Sequence, residues 1–324
     1  MNNIAVFTSG GDSPGMNACI RAVVRAGLYY NMKVWGVKRG YEGLIDDDFQ
    51  EMDSRSVGNI IQKGGTILQT ARSERFRTPE CRKIAYENLK KRGIEGIVAI
   101  GGDGTFTGAN VFMQEYPDIM MVGAPGTIDN DLFGTDFTIG YDTAINTAME
   151  AIDKIKDTAT AHNRLFFVEV MGRDAGLIAL RSGIATGAEE ILVPEVHTRM
   201  DELISTIEEA HQRKKTGCIV VVAEGDDAGG AFKIAEAVKA RSSFFEIKVA
   251  ILGHIQRGGS PSCMDRVLAS QLGIECVDAL RLGINGVMIG KIHKKIVHTP
   301  FERAIKHRDE LSPVLLHIAT LLNS

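Results

Sequence analysis

Ile97-Val98-Ala99-Ile100-Gly101-Gly102-Asp103-Gly104-Thr105 is the stretch whose reading decides the fold. Its apolar run predicts a buried strand over Gly96–Ile100, and the glycines predict a tight turn. A helix from about Thr105 to Glu115 follows. A second stretch repeats the plan. The strand Ile4–Phe7 leads through Thr8-Ser9-Gly10-Gly11-Asp12-Ser13-Pro14-Gly15 into a helix over Ala18–Tyr30. Such turns lie at the carboxyl edge of a parallel sheet, where open α/β folds bind ligands. Glycine lets backbone approach a phosphate closely, and the following helix start offers free N–H groups and a positive dipole end. One Gly-Gly pair is equally a plain strand–helix turn, whereas two in this context favour phosphate. Neither cluster fits GxxxxGK[ST] or GxGxxG, which weakens a dehydrogenase reading.

Asp103 adds chemistry to the turn. A carboxylate there repels phosphate unless a cation intervenes, and Mg²⁺ binds through a few carboxylates and phosphate oxygens. A turn or cap aspartate is the bland alternative. Beyond the next strand, Ile119–Val122, stands Pro125-Gly126-Thr127-Ile128-Asp129-Asn130-Asp131. Two carboxylates at a strand end can divide labour, one taking a hydroxyl proton and the other aiding a metal. The same residues also suit a loop of Asx turns.

Further out, strands are predicted over Lys33–Val37, Leu165–Val170 and Ile219–Ala223, and a helix over Pro79–Arg92. Ile145, Ala148, Met149, Ile152 and Ile155 keep helical spacing, with Asp142 and Thr143 placed to cap. The alternation implies a parallel sheet with helices on both faces. A domain change is expected near Thr135–Thr143, and the length of 324 residues suits two domains.

Apolar residues make up 44 % and charged residues 24 %, an ordinary globular composition. A net charge of −4 leaves no basic excess to neutralise a nucleic-acid backbone. Cysteines at 19, 81, 218, 263 and 276 have no CxxC spacing, so a disulfide framework or zinc site is not expected and a reducing cytosol is. Met1-Asn2-Asn3-Ile4 has no signal-peptide character, and the longest apolar stretch, around Cys218–Ala223, is too short to span a membrane.

Basic groups stand singly at segment ends: Arg72, Arg164, Arg173, and the segment His254-Ile255-Gln256-Arg257-Gly258-Gly259. A guanidinium fork suits phosphate, though each alone is as readily a surface group. Glu224, after the run Ile219–Ala223, is placed to accept from sugar hydroxyls or is an ordinary strand-end acid.

From end to end the chain resembles the bacterial ATP-dependent 6-phosphofructokinase family. The segments that carry the resemblance are Gly10-Gly11-Asp12, Gly101-Gly102-Asp103-Gly104, Thr127-Ile128-Asp129-Asn130-Asp131, Met171-Gly172-Arg173 and Gly253-His254-Ile255-Gln256-Arg257-Gly258-Gly259-Ser260-Pro261. The resemblance implies a cytoplasmic glycolytic kinase, moving the γ-phosphoryl of MgATP to the 1-hydroxyl of fructose 6-phosphate. It implies two three-layer α/β/α domains with largely parallel, Rossmann-like sheets and the active site in the cleft between them. The larger, ATP-binding domain would take residues 1–140 and about 256–306. The smaller, sugar-phosphate domain would take about 141–255 and 307–324.

By the same resemblance Gly11, Tyr41, Arg72, Ser73, Gly102, Asp103, Gly104, Thr105 and Gly108 form the ATP side, with Asp103 facing Mg²⁺. Asp129 is the base, Thr127 helps hold the transferring group, Asp131 supports the metal, and Arg72 and Arg173 meet the developing charge. Ile128, Met171, Gly172, Arg173 and Glu224 line the sugar site. His254, Ile255, Gln256 and Arg257 belong to the 6-phosphate segment, joined by Arg164 and Lys248 from a neighbouring subunit of a homo-oligomer, typically a tetramer. Lys248 departs from the usual arginine, losing the planar fork. The stretch between Glu224 and Lys248 is also longer than usual.

An effector site for ADP or phosphoenolpyruvate is implied at Arg21, Arg25, Ser54, Arg55, Asn59, Lys156, Gly187, Glu189, Arg213 and Lys215. There Lys156 and Ser54 replace usual arginines. Gly104 and Gly126 favour ATP over pyrophosphate, because pyrophosphate-using relatives usually carry Asp and Lys at these places. A pyrophosphate-dependent enzyme and a non-catalytic nucleotide or sugar-phosphate sensor are the competing expectations.

Overall fold

The first strand, β1 (Asn3–Thr8), sends Ile4 and Val6 into one apolar cluster and Ala5 and Phe7 into another. Burial on both faces explains why the strand reads as an unbroken apolar run. In the computed structural model, which describes residues 1–305 and 311–322, the chain forms two units. One is Met1–Thr143 with 257–305, and the other is Ala144–Gln256 with 311–322. The return crossing expected at residues 306–307 lies outside the described residues.

In the larger unit β1 is followed by α1 (Met16–Tyr29), β2 (Lys33–Val37), α2 (Tyr41–Ile45), β3 (Phe49–Met52), α3 (Pro79–Lys91), β4 (Gly96–Gly101), α4 (Asp103–Glu115) and β5 (Met120–Pro125). The chain then enters α5 (Tyr141–Ala161), within which it passes to the smaller unit. That unit holds β6 (Arg164–Val170), α6 (Leu177–Thr186), β7 (Glu190–Leu192), α7 (Met200–Gln212), β8 (Gly217–Ala223), α8 (Ala231–Arg241) and β9 (Glu246–Ile251). Back in the larger unit come α9 (Cys263–Arg281), β10 (Val287–Ile292), β11 (Lys295–Pro300) and α10 (Phe301–Ala304), and α11 (Pro313–Leu322) belongs to the smaller.

The larger sheet has the order β11-β10-β5-β4-β1-β2-β3 and is parallel except for β3 and β11 at its edges. Residues of α1 and α9 fill one face with Ile4, Val6, Val98 and Ile100. Residues of α3, α4 and α10 fill the other with Phe7, Ile97 and Ala99. From β1 the chain steps to β2 on one side, and from β4 it steps to β5 on the other. The winding therefore reverses between β1 and β4, the place where the carboxyl edge of an open sheet parts into a ligand crevice.

The smaller sheet, β7-β8-β6-β9, is wholly parallel. Leu165, Phe167, Val220 and Val222 pack with residues of α7 and α8. Its edge strand β9 is only partly covered.

Two details differ from the sequence expectation. Helix α4 begins at Asp103, earlier than Thr105, because Gly102 is extended and the helical turn starts directly after it. Asp142 and Thr143 lie within the first turn of α5 rather than ahead of it. Asp142 accepts from Ser262 Oγ, while Thr143 donates through N (2.8 Å) and Oγ1 to Asp265. Asp265 is 1 % exposed, and burial raises its carboxyl pKa, so these donors answer a buried charge.

Candidate active site

The register places Thr8 opposite Ile100 and Gly101 opposite Pro125, so the turns after β1, β4 and β5 leave the sheet along one edge. Hydrogen bonds knit them together. Ser9 N donates to Ile100 O (3.0 Å), Gly126 N to Gly101 O (2.9 Å), and Thr105 Oγ1 to Ser9 O (3.2 Å). A Cβ on Gly101 would lie 2.2 Å from Thr105 Oγ1 and 2.6 Å from Ser9 O, so only glycine fits this crossing.

The opposite holds at Gly104, where a Cβ would meet nothing within 4 Å. The start of α4 thus borders open space, with Asp103 as its first residue and half-buried. The first N–H groups of a helix have no intrahelical acceptor, and the dipole there favours anions. At Gly126 a Cβ would stand 3.0 Å from Ile100 Cγ2 and 3.1 Å from Met16 Cε, so the packing around this glycine is close.

Tyr41 supports α4 from within. Its ring stacks on Phe76 at 4.0 Å, its hydroxyl donates to Thr105 O, and Gly108 leaves room for the ring. Burial pushes the Tyr41 hydroxyl well above its usual pKa, so it stays a neutral donor. Ser73 Oγ donates to Glu42 and accepts from Phe76 N at 3.1 Å. Arg72 is exposed. Arg257 folds over the first glycine turn: its Nη1 donates to Asp12 O at 3.2 Å and would lie 2.7 Å from a Cβ on Gly11.

The loop after β5 is fixed by its own backbone. Thr127 and Asp129 are 8 % and 2 % exposed. Asp129 N donates to Thr127 Oγ1 (3.1 Å), and Thr138 Oγ1 donates to Thr127 O (2.6 Å). Asn130 holds a left-handed conformation, φ 53°, with Oδ1 accepting from Thr138 N at 2.7 Å. Asparagine tolerates that region better than most residues. A Cβ on Gly102 would stand 3.7 Å from Thr127 Cβ, so the Asp103 turn and the Asp129 loop are neighbours. Ile128 is fully buried, so only its backbone is available to a ligand, and Asp131 is half-buried just beyond Asn130.

On the smaller unit, Met171-Gly172-Arg173 follows β6 directly. Met171 N donates to Gln256 Oε1 at 2.8 Å, and Gly172 N and Arg173 N donate to Glu224 Oε1 at 3.3 and 2.8 Å. Arg173 is left-handed, φ 53°, the costly conformation for a long side chain that often marks a functional turn. One oxygen of Glu224 is thus committed to the backbone of the turn, a role its place in the sequence did not disclose. His254 and Ile255 are exposed, whereas Gln256 is fully buried. Arg164 and Lys248 both pair with Glu246, at 2.7 and 2.6 Å. Sequence reading missed Glu246, although strand alternation puts residues 246 and 248 on one face.

The residues matched to an effector site fall on both units. Arg21 and Arg25 line a shallow pocket of about 280 Å³ on α1 with Tyr29, Tyr30, Ser270 and Ile274. Ser54, Arg55 and Asn59 are exposed after β3. On the smaller unit Lys156 Nζ donates to Thr186 O (2.6 Å) and Gly187 O (3.2 Å), satisfying carbonyls at the end of α6. Glu189 pairs with Lys215 at 3.0 Å and accepts from Ile219 N at 2.6 Å, and Arg213 pairs with Glu209 at 3.7 Å.

Among the described residues no group of three or more His, Cys, Asp and Glu side chains could hold a metal. A lone carboxylate at an open helix start still suits Mg²⁺, which takes one or two carboxylates and completes its shell with phosphate oxygens and water. No helix among the described residues is long and apolar enough to cross a membrane.

Comparison with known proteins converges on one family. Residues 3–280 match Phosphofructokinase. The chain is 55 % identical over 323 residues to the ATP-dependent 6-phosphofructokinase of Cytophaga hutchinsonii, covering 100 % of this chain and 98 % of that one. It is 52 % identical over 322 residues to ATP-dependent 6-phosphofructokinase 1 of Thermus thermophilus, covering 99 % of each. Among solved structures, a phosphofructokinase from Saccharomyces cerevisiae superposes with a TM-score of 0.90 at 36 % identity, over 100 % of this chain and 48 % of that longer one. A pyrophosphate-dependent phosphofructokinase from Marinobacter aquaeolei has a TM-score of 0.85 at 21 % identity, over 100 % of this chain and 92 % of that one, a likeness of fold.

Proposed function

The chain belongs to the phosphofructokinase family, and from that premise we propose that it is a glycolytic kinase. It transfers the γ-phosphoryl of ATP to the 1-hydroxyl of fructose 6-phosphate, giving fructose 1,6-bisphosphate and ADP. The observation that carries this reading is the pairing of an open, acid-bearing helix start at Asp103–Gly104 with the enclosed Thr127–Asp129 loop on the neighbouring strand end.

Phosphoryl transfer asks the protein for positioning and charge stabilisation more than for covalent chemistry. The glycine turns and the free N–H groups at the start of α4 receive the nucleotide phosphates. Asp103 would hold Mg²⁺, whose chemistry there would be neutralisation of phosphate charge. Asp129 takes the proton of the acceptor hydroxyl. Its enclosure keeps bulk water from competing for that proton, and the Thr127 and Asn130 contacts fix its backbone. Arg72 and Arg173 offer positive charge to the transferring group. Met171, Gly172, Arg173 and Glu224 hold the sugar, while His254 and Arg257 take its 6-phosphate with Arg164 and Lys248 of a neighbouring copy. The assembly is a cytoplasmic homotetramer, with ADP or phosphoenolpyruvate acting at the Arg21–Arg25 and Glu189–Lys215 residues.

A coupled assay of fructose 1,6-bisphosphate formation, run with ATP and with pyrophosphate over a range of fructose 6-phosphate, tests the proposal. Turnover with ATP and little with pyrophosphate is expected. Preference for pyrophosphate, or no product with either donor, would overturn it. Rate curves that stay hyperbolic and indifferent to ADP and phosphoenolpyruvate would remove the effector assignment.

A further inference from the structure

One carboxylate on the smaller unit holds two cations. Arg164 on β6 stands opposite Glu246 on β9 in the parallel register, and Lys248 follows two residues later on the same face. Glu246 Oε2 accepts from Arg164 Nε at 2.7 Å, and Oε1 pairs with Lys248 Nζ at 2.6 Å. Each oxygen is therefore engaged with a different cation. In the single chain the three side chains are 26, 52 and 43 % exposed, in that order along the cluster, so they face outward, where a neighbouring copy can present the phosphate.

An oxyanion bridging an arginine and a lysine is the arrangement a phosphate monoester makes with the same pair. We propose that Glu246 is an internal competitor for that phosphate, occupying Arg164 and Lys248 until the 6-phosphate of the acceptor displaces it. Glu246 thereby sets the affinity for the sugar phosphate without touching it. This deepens the reading above and rests on it, since Arg164 and Lys248 must be the phosphate-binding cations.

The exchange is physically easy. A phosphate monoester carries about −1.5 to −2 charges near pH 7 against the single charge of a carboxylate. Exposed ion pairs are individually weak, so releasing two of them is a small cost. Lys248 fits the same scheme, because an ammonium is a point charge that can turn from one oxyanion to another without realigning a planar fork.

The alternative is that Glu246 aligns the two cations for binding, and the two roles differ in sign. Kinetics of the full chain at saturating ATP decide between them, with KM for fructose 6-phosphate read against kcat. In Glu246→Gln the competitor account expects KM to fall about three- to tenfold, the effect of releasing two exposed ion pairs. The change is confined to KM, and Glu246→Asp, which keeps the charge, stays near the parent value. Arg164→Ala and Lys248→Ala should each raise KM about tenfold or more. If neither raises it, the phosphate assignment itself fails. If both raise it while Glu246→Gln leaves KM unchanged or raises it, the assignment stands and the competitor role is overturned.

Discussion

On the larger unit the turn and loop proposed to carry the chemistry are held by backbone: Gly101 is pinned between Ser9 and Thr105, Asp129 is enclosed, and Asn130 locks the loop against Thr138. On the smaller unit the proposed charged groups are exposed side chains: Arg173, His254 and Lys248 are open to solvent, and the Met171–Arg173 turn is held by the carboxylate of Glu224 and the side-chain carbonyl of Gln256. The difference is one of chemistry. Phosphoryl transfer gains from groups that need no reorganisation, whereas a sugar phosphate must enter and leave. Substitutions on the first region should therefore cost turnover or stability, and those on the second should move KM.

The largest effect is expected from Asp129→Ser, which should lower kcat by at least ~10²-fold, with KM for both substrates little changed. Near-native turnover in steady-state assays would remove Asp129 from the chemistry and erase the contrast between the regions.

The open and closed sides of one turn provide the next test. Gly104→Asp places a carboxylate in open space. It should raise KM for ATP by about tenfold or more through like-charge repulsion of the phosphates, with no change in melting temperature. Gly101→Ala meets Thr105 and the Ser9 backbone. Overpacking of about 1–3 kcal/mol should lower the melting temperature by roughly 2–10 °C. Calorimetry that found both variants equally stable would contradict the geometry.

On the smaller unit Glu224→Ala removes the acceptor for two backbone N–H groups. It should raise KM for fructose 6-phosphate by about tenfold, with a smaller effect on kcat. Glu224→Gln, which retains an acceptor oxygen, should stay within about threefold of the parent. A kcat collapse in Glu224→Ala would move Glu224 across to the chemical side of the comparison.

The smallest effect is electrostatic. Lys248 and Arg164 hold the Glu246 carboxyl at about 2, below its unfolded value of 4.5. A depressed carboxyl stabilises the fold above the unfolded value and loses that contribution as pH falls through the folded one. The melting difference between the native chain and Glu246→Gln should therefore be present near pH 6 and shrink below pH 4.5. A difference that grew in acid would be inconsistent with the pairing.

Strands such as β4 and β8 were legible because burial on both faces leaves unbroken apolar runs. The glycine turns were legible because a backbone crossing like that at Gly101 admits no side chain. The antiparallel edge strands β3 and β11 were not, because their partly exposed residues carry no such run. Asp142 and Thr143 read as helix caps because local sequence cannot show a partner like Asp265, more than a hundred residues away. Asp103 and Asp129 stood out through neighbouring glycines and their place at strand ends. Glu246 did not, since its meaning comes from a cross-strand pairing with Arg164.

The most direct test is a crystal structure of the chain with Mg²⁺, a non-hydrolysable ATP analogue and fructose 6-phosphate. The account expects the ion on the terminal phosphates and bound to Asp103 directly or through water, with Asp129 within about 2.6–3.2 Å of the sugar 1-hydroxyl. A complex in which either carboxylate faces away from the reacting atoms would contradict it.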